Sequence, residues 1–262
     1  MKVFIATSTF GDFSNESIDH LRQNELDVCL NKLGRKLTDN ELIKFAEKCD
    51  SIIAGTENYS RRVLERLPHL KVISRLGIGM DNIDIEATKN KGIKIYKTKT
   101  TPAPAVAELV LALMIDVSRH ISHSNQLVKN GNWNKKMGFL LFGKTLGIIG
   151  LGTIGKELVK VSKGFGFHIL AFDKQEDVNF ADEHDVTYCD LYTLLSKSHF
   201  ISIHLNLSDE TKYFIDEEKI KLMNPESILI NTSRGEVLDE KALYGALKTE
   251  KLGGAGLDVF HQ

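Results

Sequence analysis

Three glycines and an aspartate carry the clearest chemistry in this sequence. Gly150, Gly152 and Gly155 stand in the pattern G-x-G-x-x-G within T-L-G-I-I-G-L-G-T-I-G, Thr145 to Gly155. The residues before them form a short apolar run of strand type, and Lys156 to Phe165 behind them has helical apolar spacing. Strand, tight turn and helix N-terminus together make a pyrophosphate site. Gly150 permits the turn, Gly152 lets the backbone approach a ligand, and Gly155 lets helix and strand pack closely. The unfilled N–H groups and positive dipole end of the helix then face the phosphates. Asp173 ends the next strand candidate, His168 to Phe172. An acidic side chain there accepts a ribose hydroxyl and repels a 2′-phosphate, so the expected dinucleotide is NAD.

In open parallel sheets, ligands sit beyond the carboxyl ends of strands, where the strand order reverses. Four loops lie at such ends: Arg75 to Gly79, His204 to Asn206, Thr232 to Gly235, and Asp258 onward. Gly77 and Gly79 either leave backbone N–H groups free for an anion, such as a substrate carboxylate, or are turn glycines. Arg234 follows the apolar strand Ile228 to Ile230. A guanidinium there clamps a carboxylate through two hydrogen bonds and polarises an adjacent carbonyl. His204 is a cofactor contact or a loop histidine satisfied by its neighbours. Without a partner carboxylate it is a poor general acid or base. Asp258 accepts a hydrogen bond from a nicotinamide carboxamide or caps the following turn. Arg61, Arg62 and Arg75 lie near strand ends and could meet a phosphate, although a solvated helix face explains Arg61 and Arg62 equally well. Thr56 and Glu57 add no positive charge there.

These residues need a scaffold of alternating elements. Strands are predicted at Lys2 to Thr7, Val28 to Leu30, Ser51 to Gly55, Lys71 to Arg75 and Ile93 to Tyr96, with helices between them. Thr38 three residues before Glu41 is a capping-box signature, and Ser60 is a second candidate cap. The alternation predicts an α/β protein of two doubly wound parallel sheets, a flavodoxin-like substrate domain and a Rossmann NAD-binding domain. Lys97 to Pro104, rich in Thr and Pro, sets the expected boundary: residues 1–98, then 99–262. Ala105 to Lys129 reads as one long helix whose first half is apolar nearly all round, suggesting a homodimer contact. After the glycine turn, strands follow at Val186 to Cys189, Phe200 to Leu205, Ser227 to Thr232 and Ala255 to Val259.

The chain of 262 residues carries 34 basic and 35 acidic residues, so nothing points to a nucleic-acid surface. Its longest central apolar run, Leu109 to Ile115, is too short to span a bilayer. The N-terminus reads as a strand rather than a signal peptide. Cys29, Cys49 and Cys189 are widely spaced, without C-x-x-C, so neither a zinc site nor a disulfide framework is expected. All three read as buried small hydrophobes in a reducing cytoplasm.

The sequence resembles the D-isomer-specific 2-hydroxyacid dehydrogenases, in their phosphoglycerate dehydrogenase-like branch. The resemblance rests on S-R-L-G-I-G-M-D-N-I-D (Ser74 to Asp84), A-V-A-E-L (Ala105 to Leu109) and G-K-T-L-G-I-I-G-L-G-T-I-G (Gly143 to Gly155). It continues through H-L-N-L-S-D-E-T (His204 to Thr211), I-N-T-S-R-G-E-V-L-D-E (Ile230 to Glu240) and G-A-G-L-D-V-F (Gly254 to Phe260). It implies hydride transfer between NAD and C2 of a small 2-hydroxy or 2-keto acid. Thr153 and Ile154 would touch the pyrophosphate and Asp173 the adenosine ribose. His204, Asn206, Thr211, Thr232, Ser233 and Asp258 would complete the cofactor site. Arg75 and the backbone N–H groups around Leu76 and Gly77 would hold the substrate carboxylate. Arg234 would grip carboxylate and carbonyl.

Asn206 stands where the family usually has Pro, a change expected to be tolerated in a loop. The family's Glu and His would follow the D-V-F strand at positions beyond Gln262, and His261 falls too early to be that acid/base. The expectation is therefore a C-terminally truncated dehydrogenase that binds NADH but turns over 2-keto acids barely or not at all. The reading from another class is an NAD-binding regulatory or assembly protein without catalysis. Which 2-hydroxy acid is the substrate is left open, with phosphoglycerate placed below a smaller acid.

Overall fold

A computed structural model of the chain describes residues 1–261, which divide into two compact units, Met1–Thr101 and the part from Pro102 on. The first unit alternates β1 (Lys2–Ile5), α1 (Glu16–Gln23), β2 (Asp27–Leu30), α2 (Asp39–Ala46), β3 (Ser51–Ala54), α3 (Arg61–Glu65), β4 (Val72–Arg75), α4 (Ile85–Asn90) and β5 (Lys94–Lys97). All its strands are parallel, in the order β2-β1-β3-β4-β5. That is the flavodoxin-type order, with its switch point between β1 and β3. One cluster of buried side chains, including Phe4, Leu42, Ile52, Tyr59, Leu64 and Ile73, fills the layer between the sheet and helices.

The second unit begins with α5 (Ala103–Arg119) and α6 (Ile121–Lys129), then runs β6 (Thr145–Ile149), α7 (Thr153–Val161), β7 (His168–Phe172), α8 (Val178–Glu183) and β8 (Val186–Tyr188). It ends with α9 (Leu191–Lys197), β9 (Phe200–Ile203), α10 (Glu217–Leu222), β10 (Ile228–Asn231), α11 (Glu240–Lys248) and β11 (Gly254–Leu257). Its six parallel strands are ordered β11-β10-β9-β6-β7-β8, the Rossmann order with the switch point between β6 and β9. One buried cluster covers each face of this sheet. Two doubly wound sheets are therefore present, as the alternation predicts.

Local chemistry explains the helix starts. Asp84, Asp177, Asp190, Asp216 and Asp239 each accept a backbone N–H of the first turn that follows, a cap worth about 1 kcal/mol. Thr38 and Glu41 form the expected capping box. Ser60 precedes α3 without a side-chain cap bond.

The long helix expected from Ala105 to Lys129 is two helices. His120 adopts a left-handed conformation at φ 53°, ending α5, and the Asp116 carboxylate accepts both N–H and O–H of Ser122 at the start of α6. The apolar face of α5 is buried in its own unit, with Ala107, Val110 and Met114 in the core. Among the cysteines only Cys49 is fully buried; Cys29 and Cys189 are partly exposed. No helix among the described residues is long and apolar enough to cross a membrane.

Candidate functional site

Strand register gathers five of the sequence-predicted site residues of the second unit along one line. Ile149 of β6 pairs with Phe172 of β7 and with Ile203 of β9; Asn231 of β10 pairs with Ile203 and with Leu257 of β11. These five residues form one row across the sheet. The residue after each is Asp173, Gly150, His204, Thr232 or Asp258. The five strands therefore end flush, and their five candidate residues open the same edge. Strand β9 stops at Ile203, two residues earlier than predicted, which is what places His204 in that line.

Each glycine of the turn has its own steric reason. Gly150 has φ +95°, and a Cβ there would lie 2.9 Å from the His204 carbonyl oxygen. A Cβ on Gly155 would meet the Gly150 carbonyl oxygen at 2.5 Å, so α7 packs on the strand end only without one. A Cβ on Gly152 would meet nothing within 4 Å. The fold itself therefore does not require a glycine there. No side chain caps α7, so the N–H groups at Thr153 and Ile154 begin a helix without a local acceptor. Leu158 and Val159 of this helix are buried in the core, each worth roughly 1.5–3 kcal/mol.

Asp173 is anchored on the turn. Its Oδ2 accepts the Leu151 N–H at 2.7 Å and its Oδ1 the Gln175 N–H at 3.0 Å. Beside it lies a cavity of about 540 Å3, lined by Leu151, Gly152, Lys156, Asp173, Gln175 and Asp177 among others. At the other end of the row Asp258 is exposed, and its N–H donates to the Asn231 carbonyl.

Asn231 is the residue that sequence reasoning missed. Fully buried, it donates from Nδ2 to the Arg234 carbonyl at 2.9 Å and accepts from the N–H and O–H of Ser233 at Oδ1. It thereby shapes the whole Thr232–Ser233–Arg234 loop. Its signal was a single Asn closing the apolar strand I-L-I-N. Arg234 donates from Nη1 to the Ser233 carbonyl at 2.8 Å and is partly exposed. Thr232 Oγ1 is buried without a hydrogen-bond partner.

His204 belongs to the structure rather than to proton transfer. Nε2 shares a hydrogen bond of 2.9 Å with Ser202 Oγ, and Nδ1 is buried without a partner. The residue as a whole keeps some exposed surface, but the ring is what titrates, and burial pushes its pKa down to about 4. It is neutral at physiological pH. Thr211 closes its own loop, donating to the Asn206 carbonyl at 2.6 Å and accepting the Ser208 N–H. His261 is exposed and sits against the Tyr213 hydroxyl.

The first unit corrects one expectation. The Leu76 N–H donates to the Ala54 carbonyl, and the Gly77 N–H to Thr98 Oγ1 and the Arg75 carbonyl. Neither is open to a carboxylate, because β3 and the segment after β5 supply acceptors. Arg75 is likewise drawn inward. It is only 9% exposed, with Nη1 on the Leu76 carbonyl and a Cβ on Gly77 falling 2.8 Å from it. Glu57 is buried and accepts the Gly55 N–H and the Tyr59 hydroxyl, which burial holds well above its usual pKa. Among the described residues no group of three or more His, Cys, Asp or Glu could hold a metal ion.

Comparison with known proteins gives concordant results. Residues 111–262 match the family model described as D-isomer specific 2-hydroxyacid dehydrogenase, NAD binding domain. The chain is 39% identical over 243 residues to a hydroxypyruvate reductase of Thermotoga maritima, covering 92% of this chain and 77% of that one. It is 39% identical over 231 residues to a D-3-phosphoglycerate dehydrogenase of Methanocaldococcus jannaschii, covering 86% of this chain and 44% of that one. Among solved structures it is similar to a D-lactate dehydrogenase of Aquifex aeolicus complexed with NAD and lactic acid. The TM-score there is 0.82 at 28% identity, over all of this chain and 78% of that one.

Proposed function

The chain belongs to the D-isomer specific 2-hydroxyacid dehydrogenase family, and from that premise we propose how its own residues serve a hydride transfer on a small 2-hydroxy or 2-keto acid. It is an NAD-dependent oxidoreductase. The observation that carries the residue assignment is the flush row of strand ends. From β7 to β11 the row crosses four strand spacings, roughly 19 Å at about 4.8 Å each, long enough for an extended dinucleotide.

The residues present fit NAD. The open face of Gly152 and the uncapped start of α7, at Thr153 and Ile154, would hold the pyrophosphate. Asp173 would take the adenosine ribose from its place beside Gly152. Toward β10 and β11, the unpartnered Thr232 hydroxyl, Ser233 and Asp258 would face the nicotinamide end. Bound NAD supplies or accepts the hydride. Arg234, its loop fixed by Asn231, would grip the substrate carboxylate and draw charge toward the carbonyl oxygen. His204, neutral and turned onto Ser202, gives no proton to the substrate.

The arrangement within the first unit favours a small acid over a phosphorylated one. Arg61 pairs with Asp84 and Glu86, Arg62 donates to Asn40, and buried Glu57 adds a carboxylate under the loop after β3. NADH oxidation with glyoxylate, hydroxypyruvate and phosphohydroxypyruvate tests this. Faster oxidation with the first two supports the reading; preference for phosphohydroxypyruvate overturns it.

For the assembly we propose a homodimer through α6 and the segment that follows it, rather than through α5. No residue of α6 is buried, and Ile121, Val128, Trp133, Met137, Leu140 and Phe142 are exposed. A run of apolar side chains of this kind marks an interaction surface. Sedimentation of the wild type and of Trp133→Ser with Leu140→Ser decides it: a dimer that becomes a monomer supports the surface, and an unchanged state refutes it. The three free thiols fit a reducing compartment, and we place the protein in the cytoplasm.

A further inference from the structure

The cavity beside Asp173 holds a charge arrangement that the glycine motif does not account for. Among its lining residues Lys156 is the single cation, set against Asp173, Glu176 and Asp177. Lys156 lies on the first turn of α7, and its ammonium is held by the Asp177 carboxylate and lies 5.2 Å from the centre of the Phe180 ring. Asp177 is itself fixed. Its Oδ1 accepts the Phe180 N–H at the start of α8, and its own N–H donates to the Tyr188 hydroxyl at 2.9 Å. Lys174, next to Asp173, is similarly taken, by Glu210. The two lysines that flank Asp173 thus each face a carboxylate.

We propose that Asp177 is a second determinant of cofactor choice, because it keeps the cavity's one cation from an incoming 2′-phosphate. Asp173 repels the phosphate; Asp177 removes the charge that would otherwise attract it. Without Asp177, Lys156 sits in the same cavity with an unpartnered ammonium, a ready partner for a phosphate dianion. Neutralising Asp173 alone therefore leaves the cavity without a usable cation.

The inference rests on reading this cavity as the adenosine end of the NAD site, and the experiment separates the two claims. NADH and NADPH binding are measured by titration calorimetry for the wild type, Asp173→Ala, Asp173→Ala with Asp177→Asn, and that double variant with Lys156→Gln added. Asparagine at 177 keeps an oxygen for the α8 cap, and Asp177→Ser, which keeps a capping hydroxyl, replaces it if the first variant does not fold. The expected result is that the double variant binds NADPH about fivefold tighter than Asp173→Ala does, the scale of a single partly exposed ion pair. Adding Lys156→Gln should abolish that gain, and NADH affinity should be the same with or without Asp177→Asn. No gain from Asp177→Asn, or a gain that survives Lys156→Gln, overturns the proposal. Failure of the underlying site reading looks different: Asp173→Ala then changes neither NADH nor NADPH binding.

Discussion

Asp173 Oδ2 accepts the Leu151 backbone N–H at 2.7 Å, tying the end of β7 to the glycine turn between β6 and α7. The residue proposed to choose the cofactor also shapes the loop that would hold its phosphates. Its two roles separate by substitution. Asp173→Asn keeps an acceptor for the Leu151 N–H and loses only the charge, whereas Asp173→Ala also strands that N–H, at about 1–3 kcal/mol. NADH affinity should therefore fall further in the alanine variant, while both variants gain relative affinity for NADPH. Calorimetry with the two cofactors checks the order; equal NADH affinities in the two variants would mean that the turn does not depend on Asp173.

Gly152 and Gly155 should respond in opposite ways. Gly152→Val places its side chain in open space, so stability should hold while NADH affinity drops at least about tenfold through lost backbone approach. A helical Gly→Ala change ordinarily gains up to about 1 kcal/mol. At Gly155 the 2.5 Å approach to the Gly150 carbonyl reverses that sign, with an expected cost of roughly 1–3 kcal/mol. Urea unfolding and NADH titration of both variants read out the contrast.

His204 gives a pH dependence of stability, and the sign follows from its lowered pKa. A histidine that titrates near 4 when folded and near 6.5 when unfolded binds fewer protons in the native state between those values. The stabilisation is fully present above pH 6.5 and is lost as the pH falls toward 4, by at most roughly 3 kcal/mol. Urea midpoints from pH 7 down to pH 4.5 should fall more steeply in the wild type than in His204→Gln. Parallel curves would show that the ring is not sealed from water.

Arg234 is expected to matter for the acid and not for the cofactor. Arg234→Gln should leave NADH affinity within about twofold. It should weaken binding of oxalate, an unreactive 2-keto acid mimic, to the NADH complex by roughly a hundredfold, the scale of a lost charged double hydrogen bond. Keto-acid-dependent NADH oxidation should fall in parallel. Unchanged oxalate binding would remove Arg234 from the substrate.

What the sequence disclosed and what it concealed divide along the distance between partners. The glycine turn was legible because strand, turn and helix are consecutive, even though the neighbour that constrains Gly150, the His204 carbonyl, is distant in the chain. The alternation of elements likewise disclosed both parallel sheets. The Leu76 and Gly77 N–H groups looked open because their acceptors, Ala54 and Thr98, come from elements about twenty residues away in either direction. The break at His120 was hidden by an apolar pattern that continues past it, and by a left-handed residue that is not a glycine. Lys156 and Asp177 stand 21 residues apart, and only the packing of α8 beside the turn joins them.

The most direct test of the account is titration of the folded protein with NADH and, separately, with NADPH. Saturable NADH binding at one site per chain, with NADPH clearly weaker, is the predicted result. A folded sample that binds neither cofactor, or prefers NADPH, would contradict the assignment of Gly150, Gly152, Gly155 and Asp173 to an NAD site.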